Sequence, residues 1–142
     1  MVNNKSELYT SLATTMANAY RDQLNLCDTT DKQTIEICLA AALQKLAERI
    51  IKHSFKARIH EMIDELEGKS KNLLFSSPYG YYAQGAACKC RILLKKGYSS
   101  PELFIGVSLR YFSHFLMDPY KKEMRRLANA SLRAAIKQEG EW

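Results

Sequence analysis

The residues best placed to do chemistry are cations near the C-terminal end of the chain. Lys122, Arg125, Arg126, Arg133 and Lys137, with Asn129 among them, recur at helical spacing. At 3.6 residues per turn they fall within about 120° of arc. Met124, Leu127, Ser131, Ala134 and Ala135 lie on the opposite side. Such a helix packs with one face and presents positive charge over a length of ~20 Å with the other, an array suited to successive phosphates. Lys89, Arg91, Lys95 and Lys96 would extend it if folding brings the two segments together. The alternative is a solvated helix face whose Lys and Arg sit favourably near a C-terminus.

Two further polar strips carry imidazoles. Arg49, His53, Lys56 and His60 follow one another at helical spacing and continue to Asp64. The two histidines stand about 10 Å apart along a helix axis, too far to share a zinc ion. His60-Glu61-Met62-Ile63-Asp64 resembles the zincin helix motif with Asp in place of its second His, and no third ligand accompanies it. The second strip is Arg110, Ser113 and His114, the polar edge of an otherwise apolar segment. An adjacent guanidinium and imidazole can hold a phosphate and move its protons. Arg110-Tyr111-Phe112-Ser113-His114 resembles a fragment of the HEPN ribonuclease pattern, with a shorter Arg–His spacing than that family carries. The resemblance implies a small helical bundle that cleaves RNA. Arg49 and His53 repeat the same spacing.

Other chemistry has less behind it. There is no phosphate loop, dinucleotide fingerprint or nucleophile elbow. Cys88 and Cys90 would point roughly 200° apart on a helix and could not grip one ion. With Cys27 and Cys38 they read as buried free thiols, so neither a metal nor a cofactor is expected. Tyr79, Tyr81 and Tyr82 could stack on bases or pack at the rim of a core. Leu103-Phe104-Ile105-Gly106-Val107-Ser108 resembles the turn of a helix-turn-helix, but Glu102 stands where a small buried residue is usual. A continuous helix through Gly106 is the stronger expectation.

The elements that must position these residues are all helical. Ser77-Pro78, Ser100-Pro101 and Asp118-Pro119 each place a capping residue before a proline suited to the first helical position, predicting helix starts at Pro78, Pro101 and Pro119. Gly97 and Gly140 serve as stops. Asn4-Lys5-Ser6-Glu7 and Thr30-Asp31-Lys32-Gln33 read as capping boxes, the first opening a helix to about Leu26. From Asp31 to Glu67 there is neither Gly nor Pro. Within that window Ile35, Leu39, Leu43, Leu46 and Ile50 share one face. Ile51, Phe55, Ile59, Met62 and Leu66 share another, turned by roughly 150°. The segment therefore kinks or breaks near Lys52–Ser54, packs its halves on different neighbours, or keeps one half for a homodimer. The segment from Pro78 to Lys96 has no clear polar face, which predicts a central place in the bundle. Sustained alternation of the strand type is absent.

The chain has 142 residues, of which 46% are hydrophobic and 25% charged. This excludes disordered and low-complexity architectures. No apolar run approaches the ~20 residues that cross a bilayer. The N-terminal residues lack the apolar core of a secretory signal, so a cytoplasmic location is expected. The expected architecture is one all-α domain over residues 1–142, a bundle of five or six helices. Its net charge of +6 is uneven. Residues 1–68 hold 8 Lys and Arg against 10 Asp and Glu, whereas residues 69–142 hold 13 against 5. A basic half favours an anionic partner. The leading expectation is a non-catalytic protein that binds DNA or RNA through its basic C-terminal helix face. The alternative is a protein-interaction module of the inhibitor or adaptor kind, comparable to small phage or plasmid regulators, that binds a partner's functional surface. A ribonuclease is the lesser alternative.

Overall fold

Glycine ends two of the helices as the sequence anticipates. Gly97 adopts φ 97°, a left-handed conformation. Its N–H donates to the carbonyl of Leu94 at 3.0 Å, and that of Tyr98 donates to Leu93 at 3.1 Å. This pair of bonds closes the helix with a Schellman turn. Gly68 takes φ 71° at the end of another helix.

The computed structural model describes residues 4–27, 32–50, 52–68, 78–98 and 100–139. Within them the chain forms α1 (Asn4–Asn25), α2 (Lys32–Arg49), α3 (His53–Leu66), α4 (Pro78–Lys95), α5 (Pro101–Phe112) and α6 (Tyr120–Glu139), with a 3₁₀ turn at Ser113–Phe115 after α5. The protein is all-α, and the described residues contain no strand. Two of the proline starts coincide with Pro78 and Pro101. The third helix begins one residue later, at Tyr120, and the Pro119 carbonyl accepts from the Glu123 N–H at 3.1 Å. The second capping box and Gly140 involve residues outside the described ones.

The long uninterrupted window divides into two helices. The break falls between Arg49 and His53, where the apolar stripe changes direction. Leu39, Leu43 and Leu46 are buried on one side of it and Phe55, Ile59 and Met62 on the other. No glycine or proline is needed for the break: each half buries its own stripe, and one straight rod would have exposed one of them.

The helix in the middle is α5, not α4. Leu103, Phe104, Ile105, Leu109 and Phe112 are all buried, and α1, α2, α4 and α6 surround the helix. In α4, Ala83, Ala86, Ala87 and Cys90 are buried, while Cys88, Lys89, Ile92, Lys95 and Lys96 face solvent. The expectation of a central α4 is therefore corrected. Its small residues let it lie close against its neighbours from one side. A Cβ on Gly85 would overlap the phenol of Tyr111 on α5.

The helix-turn-helix alternative fails at Gly106, which lies inside a continuous α5. A Cβ there would stand 2.7 Å from Cγ of Leu132 and 3.1 Å from the Ala128 carbonyl oxygen. Gly106 is thus the point at which α6 crosses α5. Glu102, out of place in a recognition motif, is buried and accepts hydrogen bonds from Arg21 of α1 at 2.7 and 2.8 Å and from the Ser100 hydroxyl at 3.0 Å. Ser100 stands at the N-cap of α5, yet its hydroxyl serves this carboxylate and makes no capping bond.

Two outcomes follow for stability. Gly106→Val overpacks the α5–α6 crossing and should cost roughly 1–3 kcal/mol in urea unfolding; an unchanged midpoint would mean that the helices do not meet there. Arg21→Ala removes a charged donor from a buried carboxylate. It should cost about 1–2 kcal/mol, at the lower end for such a loss because Arg21 is itself partly exposed. Arg21→Lys should recover part of that loss.

Candidate nucleic-acid interface

The polarity of α6 is decided by its contact with α5. Ala128 and Leu132 meet Gly106, and Met124, Leu127, Ala128, Ser131 and Ala135 are buried. With that face turned inward, Lys122, Arg125, Arg126, Asn129, Arg133 and Lys137 are all exposed. The five cations of the stripe stand along about 22 Å of helix at 1.5 Å per residue. The ion pairs of Arg21 with Glu102 and of Lys45 with Glu48 do not involve this stripe. Arg125 also reaches back toward the core: its Nε donates to the Ser113 hydroxyl at 3.4 Å.

The cations of α4 do not simply prolong this stripe. Both α4 and α6 pack on α5, and the open edge of α5 lies between them. Val107, Arg110 and His114 share that edge, about 60° of arc by helical geometry, with Arg110 and His114 exposed. Lys89 leans toward this edge from the α4 side, with Nζ 5.9 Å from the centre of the Tyr111 ring. Tyr82 meets the same ring edge-on at 5.7 Å, as does the His114 imidazole at 6.2 Å. Lys89, Tyr111 and His114 thus form a run of contacts from α4 onto this edge, while Arg125 reaches the adjacent Ser113 from α6. Lys95 and Lys96 are exposed at the far end of α4. Arg91 is half-buried, and its Nη1 is enclosed with no hydrogen-bond partner among the described residues, so it is not part of the outer face. Aromatic packing around Gly85 was not foreseen from the sequence; a glycine opposite a tyrosine is visible only once the pairing of α4 with α5 is known.

The other strips are rearranged. Ser113 is buried in the 3₁₀ turn, and its hydroxyl donates to the Arg110 carbonyl at 2.6 Å. It therefore drops out of the exposed strip that Arg110 and His114 retain. Arg49 closes α2, whereas His53, Lys56 and His60 belong to α3. The interhelical break separates the Arg49–His53 pair and removes Arg49 from the strip. On α3, His53 and Asp64 are exposed and Lys56 and His60 half-buried. Among the described residues no three His, Cys, Asp or Glu side chains converge as a metal site. The side chains of Tyr79 and Tyr81 fall outside the described residues.

The four cysteines are free, and Cys88 is exposed, contrary to the expectation of burial. Cys90 is enclosed between α4 and α5, with Sγ 3.5 Å from the Ser108 hydroxyl. Burial pushes its thiol up to about 11, against smaller opposing effects of Ser108 and Arg91. Burial likewise raises Cys38 to about 12, helped by neighbouring Cys27.

None of the described helices is long and apolar enough to cross a membrane. Comparison with known proteins finds no matching family model, curated protein or solved structure.

The thiols offer a check on this packing. At pH 8, iodoacetamide should modify Cys88 well before Cys38 and Cys90; a Cys90 rate equal to that of Cys88 would show that the α4–α5 contact is open. Because the folded thiols titrate above the ordinary value of about 8.5, their contribution is complete below that pH. It is lost as pH rises through about 11 for Cys90 and about 12 for Cys38, so the melting temperature should fall across that alkaline range.

Proposed function

We propose that this chain is a non-catalytic nucleic-acid-binding protein that lays the outer face of α6 along a phosphate backbone. The observation that carries this reading is the common outward exposure of Lys122, Arg125, Arg126, Arg133 and Lys137, with no carboxylate at ion-pair distance among the described residues. Cations held on a helix and left unneutralised release counterions when phosphates meet them, which favours binding at low salt. Lys89 and Arg110 continue the positive edge beside α6, with His114 exposed next to them. The non-catalytic part of the reading draws on the placing of Arg49 and His53 on different helices, α2 and α3.

A protein partner is the second reading, and one observation favours it. Ile136 lies on α6 among the cations at 46% exposure, and Met117 just before the helix is 79% exposed. Apolar side chains ringed by cations suit an acidic protein surface as well as a phosphate backbone.

Fluorescence anisotropy with labelled duplex DNA, single-stranded DNA and RNA tests the proposal. For duplex DNA engaging four or five phosphates, affinity should fall roughly 10²-fold between about 50 and 200 mM salt. Arg126→Glu with Arg133→Glu should weaken binding at least about tenfold without lowering the melting temperature. Failure of all three probes to bind at the lower salt would remove the proposal. In that case, loss of a nuclease-resistant protein partner on Ile136→Glu would establish the second reading. RNA cleavage abolished by His114→Ala would instead overturn the non-catalytic part.

A further inference from the structure

We propose that the cavity at the α2–α3 break is a binding site for a small amphipathic monoanion, a single acyl or comparable apolar chain ending in a carboxylate. The cavity measures about 420 Å³. Its apolar walls come from four helices: Leu12 of α1, Leu46 of α2, Phe55 of α3, and Met124 and Leu127 of α6. A void lined by residues of α1, α2 and α5 measures only about 10 Å³ by comparison. The cavity lies where α2 ends at Arg49 and α3 begins at His53, with Arg49 and Lys52 in its lining.

Its size and lining match a ligand site, since such sites are mostly apolar, begin near ~300 Å³ and use few polar groups to orient the ligand. Here the charged groups are Arg49, Lys52 and Glu123, and Tyr9 adds a phenol to the lining. Arg49 and Lys52 are exposed, and neither has an ion pair among the described residues. Lys52 is steadied over the ring of Tyr120, with Nζ 5.6 Å from its centre. Tyr120 in turn stacks on Phe55 at 4.8 Å and shares a 3.0 Å hydrogen bond with Ser54. This end of the cavity is therefore braced by aromatic packing and carries the cations. Two positive groups against one carboxylate leave room for one negative charge, and Glu123 disfavours a second. Leu12, Leu46, Phe55, Met124 and Leu127 offer an apolar chain contact along its length. The site is independent of the α6 cation stripe, which lies on the other side of that helix.

Decanoate is a suitable probe. Isothermal titration of the full chain, below the micellar concentration, should show saturable binding with one site per chain. Decanol should bind at least tenfold more weakly. Arg49→Glu with Lys52→Glu, both on the exposed rim, should abolish the preference for decanoate while the thermal melt stays unchanged. Leu12→Trp, which fills the cavity from its half-buried wall, should block both ligands. No saturable heat with decanoate would overturn the proposal, as would a preference for decanoate that survives the double reversal. Sedimentation run alongside covers the remaining occupant: a dimer that decanoate does not dissociate and Leu12→Trp does would assign the cavity to a second copy of the chain. Nucleic-acid affinity is not read in any of these measurements, so failure here leaves the α6 proposal standing.

Discussion

The close approach of α6 to α5 at Gly106 is the contact on which the rest depends. One missing side chain lets the Ala128 carbonyl and Leu132 lie directly against a buried helix. Once that contact forms, α6 has no rotational freedom. Its small and apolar residues must face α5 and α1, and its cations must face water. The Arg125 Nε also donates to the Ser113 hydroxyl in the 3₁₀ turn.

A second constraint is the burial of α5 itself. A helix surrounded by four others has little surface left for function. What remains is the narrow edge of Val107, Arg110 and His114, bounded by Lys89 on one side and Arg125 on the other. The burial also takes Glu102 out of water, and a buried carboxylate requires charged or hydroxyl donors. Arg21, 81 residues away in the chain, and Ser100 supply them. This ties the end of α1 to the start of α5 and holds the wall of the bundle opposite the α2–α3 break.

Charge and cavity divide the molecule between two kinds of surface. The second half of the chain concentrates its positive charge on α6 and on the outer face of α4. The first half contributes most of the apolar cavity, with α6 as the shared wall. One helix thus presents cations outward and Met124 and Leu127 inward.

Local rules were enough to read the helices and the inner and outer faces of α6 from the sequence. Capping residues before proline, glycine at helix ends and a 3.6-residue repeat act within a few residues of one another. The cation stripe was legible for this reason, and so was the change of direction in the apolar stripe before Phe55. The centre of the bundle was not. Helices α4 and α5 both look apolar on all sides, and only their packing put α5 inside and left Cys88, Lys89 and Ile92 of α4 in solvent. The tertiary structure alone also decided the partner of Glu102, the meeting of Gly85 with Tyr111, the separation of Arg49 from His53 and the cavity between four helices. Each depends on groups far apart in the chain, whose distances follow from how whole helices pack and not from the preferences of any one segment.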